Sequence, residues 1–315
     1  MILITGSSGF LGRALLNSLV HSNIVTLSRS IEGQKDGCRH IIKDIDSFTD
    51  YCNELIDIDC IIHCAARVHV MNDFSCDPLV SYRDVNTAGA INLARQACEA
   101  GVKRFVFISS IKVNGESTKE GKPFTPFDPK DPMDYYGQSK SEAEEQLAEL
   151  AEQTGLEVVI IRPTLVYGPG VKANFASLLK LVSKGLPLPF GCIKFNKRSL
   201  VSVTNLVDLI ITCIDHPKAA NQVFLVSDDH DISTAEMVKH MSQALGKSCR
   251  LLPVPLWCYR LVGKLTGKMD VVDRLIGSLQ VDITHTKNTL DWTPPQTLEE
   301  GFKETAEAFL LNKDR

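Results

Sequence analysis

Through the first half of the chain, short apolar runs alternate with stretches of helical periodicity. The runs 2–5, 24–28, 58–63, 104–109 and 157–162 are rich in Ile, Val, Leu and Phe, and they are predicted as strands. Between them, helices are predicted over 10–20, 85–100 and 137–153. Gly101 and Gly155 stand where a helix end takes a residue of positive φ. This alternation predicts an α/β protein, a doubly wound parallel sheet with helices on both faces.

After Arg162 the pattern changes. Pro163, Gly168, Pro169, Gly170, Gly185, Pro187 and Pro189 break the chain into loops around a short helix at 174–184. Two more strands, 199–203 and 222–226, are expected to rejoin the sheet, with a helix starting after Thr204 or Asn205. Residues 229–315 read as helix-rich, and Ser233 and Glu236 have the spacing of a capping box. The division expected is a first domain over 1–165, to which 199–228 returns, and a smaller helix-rich lobe made of 166–198 and 229–315.

Composition narrows the class. The 315 residues are 44% hydrophobic and 23% charged, an ordinary globular balance. The formal net charge of −4 gives no electrostatic footprint for nucleic acid. Ten cysteines are scattered with no CxxC pair and no zinc-type spacing, so no metal site is expected, and reduced thiols in a cytoplasmic protein are. The first strand starts at Met1, which leaves no room for a signal peptide. No apolar run is long enough to cross a bilayer. Residues 256–265 are amphipathic and are expected to cover a pocket or pack on the core rather than to insert into a membrane.

The first candidate chemistry lies at the N-terminus. Gly6, Gly9 and Gly12 follow an apolar strand and open a helix at Phe10. That spacing suits a tight turn, close approach of a pyrophosphate and a helix N-terminus whose free N–H groups face it. The pattern predicts a dinucleotide bound in the Rossmann manner. The second candidate is Tyr136 and Lys140, four apart on one helical face. A lysine ammonium beside a phenol is expected to lower its pKa from about 10 and make it an acid/base near neutral pH. Ser109 and Ser110 end a buried-type strand, where open α/β sheets bind ligands.

Taken together, these motifs resemble the extended short-chain dehydrogenase/reductases, specifically the nucleotide-sugar epimerase/dehydratase/reductase family. The likeness runs nearly end to end. It rests on Thr5 to Gly12, Lys43-Asp44-Ile45, Ile61 to Ala66, Asn86 to Leu93, Phe107 to Ser110, Tyr136 with Lys140, Arg162 to Gly170, Arg198 to Asp208, and Leu290 to Pro294. The resemblance implies Ser110, Tyr136 and Lys140 as the catalytic set, with Lys140 also on the nicotinamide ribose. It implies a cofactor cradle of Gly6, Ser8, Gly9, Phe10, Leu11 and Gly12, then Ser28 and Arg29, Asp44 and Ile45 near the adenine. Cys64, Ala65 and Ala66 would run along the dinucleotide, with Asn86, Ser109 and Pro163 completing it. Asn174 and Arg198 would anchor the nucleotide-sugar, together with Ser110 and Tyr136, and Arg67 and His69 could line the pocket.

Departures from the family pattern narrow the reaction. Dehydratases of this family carry an acidic pair directly after the catalytic Ser/Thr; Ile111 and Lys112 stand here instead, which argues against 4,6-dehydration. After the second strand, Ser28-Arg29 offers no carboxylate to a ribose 2′-hydroxyl and an arginine to a 2′-phosphate. That favours NADP, with NAD as the alternative. A consumable cofactor in turn favours a 4-keto-sugar reductase acting on a UDP-linked hexose. A 4-epimerase with tightly bound NAD is the alternative, and a non-catalytic dinucleotide sensor is remote because all three catalytic residues are present. A homodimer is expected through the helices at 85–100 and 137–153.

Overall fold

The computed structural model describes residues 1–19, 23–30, 37–68 and 77–313. Strand β1 (Ile2–Thr5) turns through the glycines into helix α1 (Phe10–Ser18), followed by β2 (Ile24–Ser28), β3 (Arg39–Ile42) and β4 (Cys60–His63). Helix α2 (Pro78–Arg83) runs through a π-helical turn at Asp84–Gly89 into α3 (Ala90–Glu99). Then come β5 (Arg104–Ile108), a 3-10 turn at Ile111–Val113, α4 (Tyr135–Thr154) and β6 (Glu157–Pro163). The remainder holds β7 (Leu165–Tyr167), α5 (Ala173–Val182), β8 (Leu200–Ser202), α6 (Val203–Asp215) and β9 (Gln222–Val226). It ends in α7 (Thr234–Ala244), α8 (Leu256–Thr266), α9 (Met269–Ile276), α10 (Thr284–Leu290) and α11 (Leu298–Lys313).

Seven strands form one parallel sheet in the order β3-β2-β1-β4-β5-β6-β9. Its central strands are apolar on both faces because both are covered. One row across the sheet, Leu3, Ile61, Phe105 and Val158, packs with Ile91 and Leu93 of α3 and Leu147 of α4. The neighbouring row, Ile4, Ile62, Val106 and Val159, packs with Leu15 of α1 and Leu206 and Ile210 of α6. A third core joins Tyr167, Phe175, Leu179, Met237, Val238 and Phe302 away from the sheet. The chain order reverses between β1 and β4, which opens a crevice at their C-terminal ends.

Three details differ from the sequence reading. β3 lacks an apolar run, since only Ile41 of its four residues is buried, and the pattern overlooked it. Residues 199–203 do not rejoin the main sheet. β9 occupies the free edge of β6, so β8 pairs only with β7 in a separate two-stranded ribbon. Helix α6 is capped not by Thr204 or Asn205 but by Ser202, whose hydroxyl accepts from the Asn205 N–H at 3.1 Å. The box at Ser233 and Glu236 forms as read. Residues 256–265 fold as α8, which packs on the third core through Tyr259, as expected, and buries Gly263 against Met269 and Val272, while Trp257, Leu261 and Leu265 stay exposed. Among the described residues, no helix is long and apolar enough to cross a membrane.

Candidate active site

The glycine turn is shaped by contacts that exclude a side chain. Gly6 has φ +67°, and a Cβ there would lie 2.7 Å from the Ala65 nitrogen, so the turn after β1 presses on the turn after β4. A Cβ on Gly12 would sit 2.3 Å from the Gly6 carbonyl oxygen. Gly9 caps α1 without any side-chain hydrogen bond. The first N–H groups of that helix, at Phe10, Leu11 and Gly12, are therefore left to an anionic ligand, and the helix dipole favours one.

In front of this turn lies a cleft of about 640 Å³. It brings together Gly6, Ser8, Gly9, Ser28, Arg29, Asp44, Ile45, Cys64, Ala65 and Ala66, the greater part of the cofactor set read from the sequence. Size, the uncapped helix end and the bare glycine backbone fit a dinucleotide's adenosine diphosphate half. The charge on its walls is balanced: Arg29, Lys43 and Arg67 face Asp44, Asp46 and Asp84, and Lys43 is already paired with Glu54 at 2.8 Å. Such a wall offers an additional 2′-phosphate no net positive charge, contrary to the reading that favoured NADP.

The turn after β4 is pinned from beneath. The Ala65 N–H donates to Thr5 Oγ1 at 3.1 Å, and that hydroxyl also pairs with His63 Nδ1 at 3.1 Å. His63 is fully buried between the rings of Phe105 and Phe107, and burial pushes it down to about 3, so it is a neutral imidazole. Burial also pushes the Cys64 thiol up to about 12, which keeps it protonated.

The proposed catalytic residues meet where β5 and α4 approach each other. Ser110 follows β5 and caps the 3-10 turn, its Oγ accepting from the Lys112 N–H at 3.2 Å. Tyr136 sits in the first turn of α4, which Asp134 caps by accepting from the Gly137 N–H at 2.7 Å. The Ser110 hydroxyl lies close enough to the Tyr136 phenol to act on its ionisation. Burial pushes Tyr136 up to about 12, with Asp134 adding to the rise and Ser110 opposing it. The expectation that Lys140 lowers this phenol is not met. Lys140 is 1% exposed and donates from Nζ to the Ile108 carbonyl at 2.8 Å, over the Phe107 ring. Burial brings its own pKa down to about 8, against the pull of Cys64 and Glu144.

Behind these groups runs a buried network that the sequence did not disclose. Ser109 donates to Glu144 at 2.5 Å, and Arg162 grips the same carboxylate through Nε at 2.9 Å and Nη2 at 2.6 Å. Arg162 also donates to Asn114 at 2.9 Å. Arg162 and Glu144 are 2% and 1% exposed, and the network ties β5, α4 and β6 together behind Ser110. Ser109 was read as a cofactor residue, but its hydroxyl is turned to Glu144. Asn86 is similarly engaged. It accepts from the Arg67 N–H at 2.8 Å and donates to the Arg67 carbonyl and to Ser139, so it fastens the loop after β4 to α4.

The remaining residues are spread more widely. Pro163 is buried at the end of β6 beside Val226. Asn174 is exposed in the first turn of α5. Arg198 is half-buried, and its Nη1 donates to the Arg274 carbonyl at 2.7 Å and the Gly277 carbonyl at 3.3 Å, where α9 ends. Next to Ser110, Lys112 pairs with Glu116 and Asp134, so no carboxylate follows the serine directly. His69 lies outside the described residues.

Known proteins agree with this architecture. The model of the NAD dependent epimerase/dehydratase family matches residues 2–227. The chain is 62% identical over 317 residues to the UDP-glucose 4-epimerase of Vibrio cholerae, covering 100% of this chain and 97% of that one. It is 28% identical to the N-acetyl-alpha-D-glucosaminyl-diphospho-ditrans,octacis-undecaprenol 4-epimerase of Escherichia coli O157:H7, over 96% and 93% of the two. A solved UDP-glucose 4-epimerase with UDP-glucose from Thermotoga maritima has the same fold, with a TM-score of 0.80 at 22% identity and 99% of each chain covered. The 62% relative supports the alternative, epimerase reading above the reductase read from the sequence, and the matching family is an NAD-dependent one rather than an NADP-dependent one. With its parallel sheet, its glycine turn and its Ser110, Tyr136 and Lys140, the chain belongs to the NAD-dependent epimerase/dehydratase family, nucleotide-sugar enzymes of the extended short-chain dehydrogenase/reductase type.

Proposed function

We propose that the chain is a 4-epimerase of UDP-linked hexoses that retains NAD in the cleft at the end of β1. The observation that carries this reading is the 62% identity to a UDP-glucose 4-epimerase over the whole chain, with Ser110 and Tyr136 side by side at the site. The glycine turn and the N-terminus of α1 would hold the cofactor's pyrophosphate, and Asp44 and Ile45 would lie by its adenosine. When bound, NAD supplies a two-electron acceptor and donor for the sugar carbon.

Tyr136 would exchange a proton with the C4 oxygen, and Ser110 would hydrogen-bond the same oxygen. A phenol held near 12 keeps its proton at neutral pH, so positive charge must reach it for that exchange. Lys140, one helical turn along α4, would be the chain's own source once its ammonium leaves the Ile108 carbonyl. Arg198, with Nη1 fixed by the carbonyls at the end of α9, would offer Nε and Nη2 to the diphosphate. Asn174 would lie on the same sugar-nucleotide side, in the lobe built from 166–198 and 229–315. A homodimer through α3 and α4 belongs to the same proposal.

The test is interconversion of UDP-glucose and UDP-galactose, and of their N-acetyl forms, with no cofactor added. Turnover without added cofactor supports the epimerase. A second reading, the 4-keto-sugar reductase, is favoured by the Ser28-Arg29 end of β2, which has no carboxylate and an exposed arginine. NADPH oxidation on a UDP-4-keto-6-deoxy-hexose, with no interconversion, would replace the epimerase by that reading.

A further inference from the structure

Two long stretches of the chain have no acidic residue. No Asp or Glu lies between Glu157 and Asp208 or between Glu236 and Asp270, yet these stretches hold thirteen of the 34 lysines and arginines. All 38 acids lie elsewhere, against 21 bases, so a chain of net charge −4 is strongly polarised. Arg162 is buried and Arg198 half-buried, and the other eleven bases are exposed. The two stretches meet in space. Leu188 exchanges backbone hydrogen bonds with Arg250 and Leu252 at 2.9 and 2.8 Å, which sets the 184–195 loop beside the entry to α8.

The same surface is apolar where it stands out furthest. Trp257, Leu261 and Leu265 are four apart on α8 and are 65%, 49% and 78% exposed. Arg260 and Lys264 stand one residue before Leu261 and Leu265, so a basic edge flanks the apolar stripe, and Lys268 follows at the turn into α9. Phe195, on the adjoining loop, is 81% exposed. α8 makes its buried contacts through Gly263, against α9, and Tyr259, against the third core, and leaves this amphipathic face without a partner among the described residues.

We propose that the α8–α9 hairpin, with the 184–195 loop, docks on the surface of an anionic phospholipid bilayer. Trp257, Leu261 and Leu265 enter the headgroup region, while Arg260, Lys264 and Lys268 neutralise lipid phosphates. The aliphatic stems of the lysines lie along the apolar stripe as their ammonium groups reach outward. A surface built only for a soluble polyanion gains nothing from an exposed tryptophan and Leu265, which is why a lipid surface is the occupant favoured. The docking does not depend on the proposed reaction. If Arg198 does clamp a diphosphate, its bonds to the end of α9 attach that clamp directly to the docked hairpin.

The experiment is co-sedimentation of the full chain with vesicles of phosphatidylcholine alone and of phosphatidylcholine mixed equally with phosphatidylglycerol. Binding is expected only to the anionic vesicles, falling steeply as salt rises. Binding should shift the emission of Trp257 to the blue, because the only other tryptophan, Trp292, is buried and bonded to Asp208. Replacing two lysines by Lys264→Gln with Lys268→Gln should weaken partitioning about 30-fold, roughly five-fold for each charge. Trp257→Ser should weaken it as well, and both variants should keep the wild-type unfolding midpoint. Equal binding to neutral vesicles, no binding, or an unaffected double variant would overturn the proposal. So would heparin binding that is indifferent to Trp257→Ser, which marks a polyanion site. Hairpin variants that break up an oligomer with no affinity for vesicles would overturn it too, in favour of a second copy of the chain.

Discussion

Lys140→Met separates what a buried lysine contributes to chemistry from what it does to the fold. The wild-type ammonium is 1% exposed, and burial brings its pKa from 10.5 to about 8. That gap corresponds to roughly 3 kcal/mol of penalty for keeping the charge in the folded state at neutral pH, at about 1.4 kcal/mol per pH unit. Methionine removes the charge at similar volume and so removes the penalty. In exchange the Ile108 carbonyl, now served at 2.8 Å, loses its donor, which costs about 1–3 kcal/mol. At pH 7 the variant should be as stable as wild type or up to about 2 kcal/mol more stable, while turnover falls at least about 100-fold. Raising the pH should close the gap. Between about pH 8 and 10.5 the folded wild type has released the proton that the unfolded chain still holds, so wild-type stability rises with pH in that window. The variant has no such rise, and its advantage should shrink by about 3 kcal/mol across it. Urea unfolding of both proteins at matched pH measures this. A variant more than about 2 kcal/mol less stable at pH 7, or a difference that ignores pH, would refute the reasoning.

Tyr136→Phe should leave bound cofactor unchanged and lower turnover by about a hundredfold or more, and a kcat within a few-fold of wild type would remove Tyr136 from the proton-transfer role. Glu144→Gln leaves Arg162 buried without its counter-charge and should destabilise the fold by about 3–5 kcal/mol in urea unfolding. A loss below about 1 kcal/mol would mean the pair does not hold the strands together. Arg29→Ala should leave the amount of NAD released by gentle denaturation unchanged, as read by mass spectrometry. Loss of the bound nucleotide, or NADP in place of NAD, would restore the reading in which Arg29 serves a 2′-phosphate.

Features with local signals were legible in the chain. β1, β4, β5 and β6 are covered on both faces and read as unbroken apolar runs, and the glycine turn and the Tyr136/Lys140 pair show as short spacings. β3 buries one side chain of four and looks like loop. The network of Ser109, Glu144, Arg162 and Asn114 joins residues 35, 18 and 48 positions apart, and each residue alone is an ordinary polar side chain. The pKa logic failed for a related reason. Four-residue spacing puts Lys140 and Tyr136 on one face of α4, but the direction of the ammonium is set by β5, which the spacing does not contain. Helix α8 was visible as an amphipathic segment, yet an apolar stripe has the same sequence whether it faces a core or the outside.

The third core has a bearing on how the protein is made. Tyr167 and Phe175 stack at 5.4 Å, and Phe302 of the last helix closes on Tyr167 at 4.9 Å, with Gly301 backed against the Tyr167 ring. The main sheet, by contrast, is complete at Val226. A chain leaving the ribosome can therefore assemble its nucleotide-binding half while Tyr167 and Phe175 still wait, bare, for α11. Nascent chains arrested before and after Leu298 should differ in protease resistance around 165–200. A stop codon in the interval would leave a half-built product with an open aromatic face, a target for chaperones and proteases rather than a shortened enzyme.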